Sequence, residues 1–167
     1  MPQTTTATTG TWTEKEIRQQ PASWLRSLNN IDNLRTSIDS FLTPLLRKPD
    51  LRIVLTGAGT SAFIGDIIAP WLASHTGKNI TAIPTTDLVT NPMDYFSPAH
   101  PLLLVSFARS GNSPESVAAV ELANQFVPEC YHLSITCNEA GSLYQNAVDS
   151  DNACALLMPA ETHDRGF

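Results

Sequence analysis

Ser106, Ser110 and Ser113 stand close together in the stretch Ser106-Phe107-Ala108-Arg109-Ser110-Gly111-Asn112-Ser113-Pro114, between an apolar run at 102–105 and helix-forming residues at 115–122. An apolar strand, a tight polar turn and a helix in that order aim hydroxyls and bare N–H groups at one point beyond the strand. Ser113 suits an N-cap, because its oxygen accepts from the unpaired N–H groups of the first turn. Pro114 suits the first helical position, where its missing N–H costs nothing. Capping needs one hydroxyl. Three serines and Asn112 exceed that need, and the surplus points to a bound anion, phosphate above all. Arg109 either adds charge to such an anion or reaches solvent.

A second turn, Gly57-Ala58-Gly59-Thr60-Ser61, follows the β-branched run Arg52-Ile53-Val54-Leu55-Thr56. Gly57 and Gly59 match the first two glycines of a dinucleotide fingerprint. Ala62 occupies the third position, however, and Asp87 lies too far along to hold a ribose, so NAD is disfavoured. A P-loop fails because no Gly-Lys-Ser/Thr follows. Two readings stay open: the glycines only permit the turn while Thr60 and Ser61 cap a helix, or the loop lines a ligand. Ser61 is no nucleophile elbow, since Phe63 stands where a glycine is required. No triad or metal-ligand spacing is present, so neither metal nor cofactor is expected. His132 falls in an apparent strand and reads as a hydrogen-bonded core histidine. The run Glu161-Thr162-His163-Asp164-Arg165-Gly166 either supplies acid or base groups or frays into solvent. Glu161 is the one carboxylate to consider as catalytic.

The elements that must position these turns follow from periodicity. Residues 1–12 are Thr-rich with little to bury and read as a disordered or draped tail. A helical extension is expected over 13–48. Thr13 and Glu16 form a capping box, a short helix runs to about Gln20, Pro21 opens a second turn, and one apolar face recurs from about Asn30 to Leu46. Strands are expected at 52–56, 79–83, 102–107, 131–136 and 153–158. Ile64, Ile67, Ile68, Trp71 and Leu72 mark the buried face of the helix after the first strand. Strands alternating with helices imply a parallel sheet covered on both faces, whose ligands bind beyond the carboxyl ends of the strands where strand order reverses. Both polar turns lie on that edge.

Composition bounds the rest. The 167 residues suit one domain at 49–167 plus the extension, with 42% hydrophobic and 16% charged residues. Net charge is −6, and no basic cluster exceeds Arg47-Lys48, which argues against nucleic acid or an anionic membrane. Three cysteines without paired spacing read as reduced thiols. No leader or 18-residue apolar run is seen, so a cytoplasmic location is expected.

A strand leading to Gly-Ala-Gly-Thr-Ser, followed by a strand leading to Arg-Ser-Gly-Asn-Ser before a helix, resembles the sugar isomerase (SIS) domain family over roughly residues 30–167. The longer stretches Leu-Thr-Gly-Ala-Gly-Thr-Ser-Ala-Phe-Ile-Gly-Asp and Ser-Gly-Asn-Ser-Pro-Glu-Ser-Val-Ala-Ala-Val are most similar to the tagatose-6-phosphate ketose/aldose isomerase-like, or galactosamine-6-phosphate deaminase/isomerase, branch. The resemblance implies a five-stranded, three-layer flavodoxin-like α/β sandwich that binds a phosphorylated sugar or aminosugar. It implies that Gly59, Thr60 and Ser61 line the sugar, and that Ser110, Gly111, Asn112 and Ser113 hold the phosphate. Where the family places a first phosphate serine this sequence has Ala108, so Arg109 or Ser106 must substitute or a hydroxyl is missing. The branch carries two such domains and takes its general base from the second, so this chain reads as an N-terminal half. A phosphosugar sensor, or a homo-oligomeric isomerase with shared sites, are the alternative readings.

Overall fold

The five strands pair in parallel in the order β2-β1-β3-β4-β5, comprising β1 (Arg52–Gly57), β2 (Asn79–Ala82), β3 (Leu102–Ala108), β4 (Cys130–Thr136) and β5 (Ala153–Leu157). The helices are α1 (Trp12–Leu46), α2 (Ala62–Thr76), α3 (Thr85–Thr90), α4 (Pro92–Tyr95), α5 (Pro114–Phe126) and α6 (Ser142–Val148). The computed structural model describes residues 11–163. Residues 1–10 of the expected tail, and Asp164, Arg165 and Gly166, lie outside the described residues. No helix among the described residues is long and apolar enough to cross a membrane.

The central strands are apolar on both faces because helices cover both. Val54, Leu102 and Leu104 pack with Leu88, Phe96, Ala119 and Ala123 against α3, α4 and α5. Their neighbours Ile53, Leu55, Leu103 and Val105 pack with Leu45 and Ala69 against α1 and α2. Side chains alternate at every step, so adjacent residues of one strand serve opposite layers.

Two local expectations are corrected by the fold. The N-terminal segment is one continuous helix, with Pro21 inside it and Thr11 as the cap that accepts from the Glu14 N–H at 3.2 Å. A proline inside a helix removes one backbone bond at a cost of about 3 kcal/mol. Contacts on both sides of Pro21 hold the helix in line nevertheless. Gln19 Nε2 donates to the Glu161 carbonyl at 3.0 Å, Asn30 Nδ2 donates to the Leu157 carbonyl at 2.6 Å, and Arg26 pairs with Glu161.

The second correction is to α2. Its buried residues are Ala62, Gly65 and Ala69, while Ile64, Ile67 and Trp71 are exposed. The helix sits so close to the sheet that a Cβ at Gly65 would lie 3.2 Å from Leu55 Cβ and 3.3 Å from Ala82 Cβ. Only a stripe of small residues fits at that contact, so Ile64, Ile67 and Trp71 face outward, while Ile68 and Leu72 are half-buried against the core as expected.

His132 is 5% exposed, and its Nε2 hydrogen-bonds Asn124 Oδ1 at 2.8 Å, the core role expected of it. Burial holds it neutral and lowers its pKa from 6.5 to about 4. Between those values the unfolded chain binds the proton and the folded chain does not. This contribution is therefore complete above about pH 6.5 and is lost as pH falls toward 4, by up to about 3 kcal/mol. Urea-unfolding midpoints should drop across that window, and His132→Gln should flatten the drop. An unchanged slope in the variant would assign the pH dependence to other groups.

Candidate functional site

β1 and β3 are neighbours in the sheet but send their chains in opposite directions. β1 continues through α2 on one face to β2, and β3 continues through α5 on the other face to β4. The two turns therefore part at the strand ends and leave a crevice, the place where open parallel sheets bind ligands.

The turn after β1 begins at Gly57, where an added Cβ would lie 2.6 Å from the Ser61 carbonyl carbon, closer than any side chain permits. The chain folds back on itself there into a single 3-10 turn, Gly59–Ser61, before α2. Ser61 makes no side-chain cap to α2, so the capping reading of this hydroxyl fails. The turn after β3 needs Gly111 in the left-handed region, at φ 65°, with Thr136 Oγ1 3.2 Å from where a Cβ would stand. Ser113 then caps α5 as expected: its Oγ accepts from the Ser116 N–H at 3.3 Å, and Pro114 opens the helix.

Between the turns lies a cavity of about 360 Å³ walled by Ala58, Gly59, Thr60, Ser61, Phe107, Ala108, Arg109, Ser110, Ser113 and Ser116. That size suits a small-molecule site. Five of these residues carry hydroxyls, the N-terminal end of α5 supplies partial positive charge, and Arg109 is the charged residue among them. No carboxylate or imidazole stands among these lining residues. Six of the expected residues are thus brought together: Gly59, Thr60, Ser61, Arg109, Ser110 and Ser113. Ser116, three residues beyond the cap and 4% exposed, joins them, its Oγ receiving a hydrogen bond from Ser113 Oγ at 2.7 Å. Its signal in the sequence was helical spacing, since residues three apart share a helix face.

Gly111 and Asn112 are turned away. Asn112 Oδ1 accepts from the Ser142 N–H at 2.8 Å and from its hydroxyl at 3.0 Å, serving an otherwise uncapped N-terminus of α6. The loop's carbonyls point the same way. Ser110 O accepts from Asn138 Nδ2 at 2.8 Å, Gly111 O from the Leu143 N–H at 3.1 Å, and Arg109 O from Thr136 Oγ1 at 3.4 Å. With these lone pairs occupied elsewhere, the cavity side of the turn is left to hydroxyls and N–H groups.

Two further candidates are corrected. Ser106 is 3% exposed and stays in the sheet opposite Thr56, so it does not replace the hydroxyl missing at Ala108. Glu161 lies beyond the edge strand and pairs with Arg26 of α1. Its own backbone N–H, then the Arg26 guanidinium, hold its carboxylate below the ordinary range. A base that must take a proton near neutral pH needs a higher pKa and a place in the cavity, and Glu161 has neither. The described residues contain no cluster of three His, Cys, Asp or Glu side chains able to hold a metal.

The chain is 82% identical over 161 residues to D-galactosamine-6-phosphate deaminase AgaS of Escherichia coli, a match covering 96% of this chain and 42% of that protein. It is 50% identical over 159 residues to D-galactosamine-6-phosphate deaminase AgaS of a Shewanella species, covering 93% of this chain and 41% of that one. The crystal structure of tagatose-6-phosphate ketose/aldose isomerase from Escherichia coli superposes with a TM-score of 0.93 at 82% identity, over 95% of this chain and 43% of that chain. The chain thus spans less than half the length of these relatives. The profile of the SIS domain matches residues 45–167, both polar turns included, and the chain belongs to the SIS-domain family.

Proposed function

We propose that this chain binds the phosphate end of a hexose or aminohexose phosphate, as the phosphosugar-binding part of a ketose/aldose isomerase or aminosugar-phosphate deaminase of the tagatose-6-phosphate and galactosamine-6-phosphate type. The observation that carries this reading is the hydroxyl-walled crevice at the N-terminus of α5, with every described carbonyl bond of its turn directed elsewhere. Such a cradle holds an anion through N–H and O–H donors without a competing acceptor. The phosphate is assigned to Ser110, Ser113, Arg109 and the N–H groups of the turn. The sugar is assigned to Gly59, Thr60 and Ser61. Gly111 and Asn112 shape the loop. The relatives' names supply the substrate class, and the domain is assigned to residues 49–167, with 13–48 as its helical extension.

Aldose–ketose conversion and aminosugar deamination both move a proton between adjacent carbons, which needs an acid–base group near the working pH. No such group stands among the described residues lining the cavity. This observation favours a second reading for the chain by itself: it binds the phosphosugar without turning it over.

Thermal unfolding with galactosamine-6-phosphate, tagatose-6-phosphate and their unphosphorylated counterparts tests the proposal. A phosphosugar at a hundred times its dissociation constant should stabilise the fold by about 2.7 kcal/mol, and the unphosphorylated sugars should give little. Assays of ammonia release and ketose formation on the same samples separate the two readings. Stabilisation by NAD and by no phosphosugar would overturn both.

The two turn residues should separate binding from folding. Ser110→Ala should weaken phosphosugar binding by about 1.5–3 kcal/mol, roughly ten- to a hundredfold in Kd, with little loss of stability. Asn112→Ala should instead cost about 1 kcal/mol of stability as a lost cap. Paired titration calorimetry and urea unfolding read both quantities. The opposite pattern would place Asn112 on the ligand.

A further inference from the structure

Gly111 gives the turn after β3 its left-handed corner, at φ 65°, and the same freedom leaves one feature of that turn undecided. The peptide between Ser110 and Gly111 is planar, so its C=O and N–H point in opposite directions. Rotating that plane by half a turn exchanges them, and beside a residue without Cβ the exchange costs little. In one orientation the crevice meets the Gly111 N–H, and in the other it meets the Ser110 carbonyl. An anion is held by the first and repelled by the second. The residues of the turn do not by themselves choose between the two.

Asn138, 28 positions away in the loop after β4, makes the choice: its Nδ2 donates to the Ser110 carbonyl at 2.8 Å. The amide cannot sit the other way round. Its Oδ1 accepts from the Ala140 N–H at 3.1 Å, and an amide nitrogen accepts nothing. The main chain of Asn138 is tied as well. Its N–H donates to Thr136 Oγ1 at 3.3 Å, and its carbonyl accepts from the Gly141 N–H at 3.1 Å. Thr136, 1% exposed, donates in turn to the Arg109 carbonyl at 3.4 Å. Asn138 thus reaches Ser110 from a fixed base, with its donor end outward.

From this bonding we infer that Asn138 is a positioning residue of the anion site, holding the Ser110–Gly111 peptide so that the Gly111 N–H, and not the Ser110 carbonyl, faces a bound phosphate. The inference rests on the phosphosugar reading above and adds to it one donor and the residue that orients it. Asn138 does not line the cavity; it acts through Ser110, which does. The Gly111 carbonyl is bonded to the Leu143 N–H on the β4 side, so the N–H is the polar group of Gly111 left for the ligand. Asn112 gives the contrast. Its side chain joins the same two loops through Ser142 but holds no carbonyl of the turn.

Amide NMR of the isotope-labelled 167-residue chain, titrated with inorganic phosphate and with galactosamine-6-phosphate, tests the inference. The Gly111 N–H signal should move downfield with both ligands as it bonds to an anion. Asn138→Ala should abolish that shift and weaken both ligands by a similar factor, about ten- to a hundredfold, because the defect sits at the phosphate. Asn112→Ala loosens the same pair of loops, yet should leave both affinities and the Gly111 shift in place. A Gly111 signal that stays still in the wild-type chain while phosphosugar binds would overturn the inference and leave the phosphosugar reading standing, with no variant needed. So would a folded Asn138→Ala chain that binds as tightly as wild type, or an Asn112→Ala chain that loses as much affinity as Asn138→Ala. A wild-type chain that binds neither ligand would overturn the phosphosugar reading and the inference with it.

Discussion

The candidate site depends on a seam of hydrogen bonds between two neighbouring loops. The turn after β3 directs the carbonyls of Arg109, Ser110 and Gly111, together with the Asn112 side chain, to the loop that follows β4. A peptide unit cannot aim its C=O and N–H at the same side. Fixing the carbonyls toward β4 therefore clears acceptors from the wall that faces β1. Gly141 lets the loops approach this closely, since a Cβ there would stand 2.5 Å from the Ser110 carbonyl oxygen. An anion cradle of this kind is made by its neighbour as much as by its own residues.

The sheet order makes the cradle accessible. Because β1 and β3 are adjacent and their following helices cover opposite faces, the two turns separate and a crevice opens between them. The turn after β1 contributes Thr60 and Ser61, whose hydroxyls are free of capping duty because the entry to α2 is a 3-10 turn. Binding groups thus come from both sides of the switch point. The acid–base group that isomerase or deaminase chemistry requires is not among the described lining residues, consistent with relatives more than twice as long as this chain.

Both helices of one layer turn large apolar side chains outward: Trp24, Leu25 and Leu28 on α1, and Phe63, Ile67 and Trp71 on α2. Their inner sides are occupied differently. On α2, Ala62, Gly65 and Ala69 allow the backbone to settle against Leu55 and Ala82. On α1, polar side chains reach carbonyls and a carboxylate at the far end of the chain. In each case the inner contact leaves large apolar side chains on the outer face.

Local pattern alone was enough for the order and type of elements, the parallel sheet, both polar turns, and the roles of Ser113, Pro114 and His132. These depend on residues a few positions apart, whose hydrogen bonds and periodicity are set by the chain itself. What the fold decided involves long separations. Asn112 reads locally as a ligand residue, but Ser142, 30 positions away, engages it; Glu161 reads locally as a base, but Arg26 pairs with it across 135 positions. The stripe of α2 that lies inside could not be read from periodicity, because bulky and small residues both recur at helical spacing and only the gap above the sheet selects between them. Pro21 reads as a break in isolation; contacts to β5 and to the segment beyond it keep the helix whole. Sequence determines which groups are available and roughly where they point. Tertiary structure decides which are already engaged, and so which remain for a ligand or a partner.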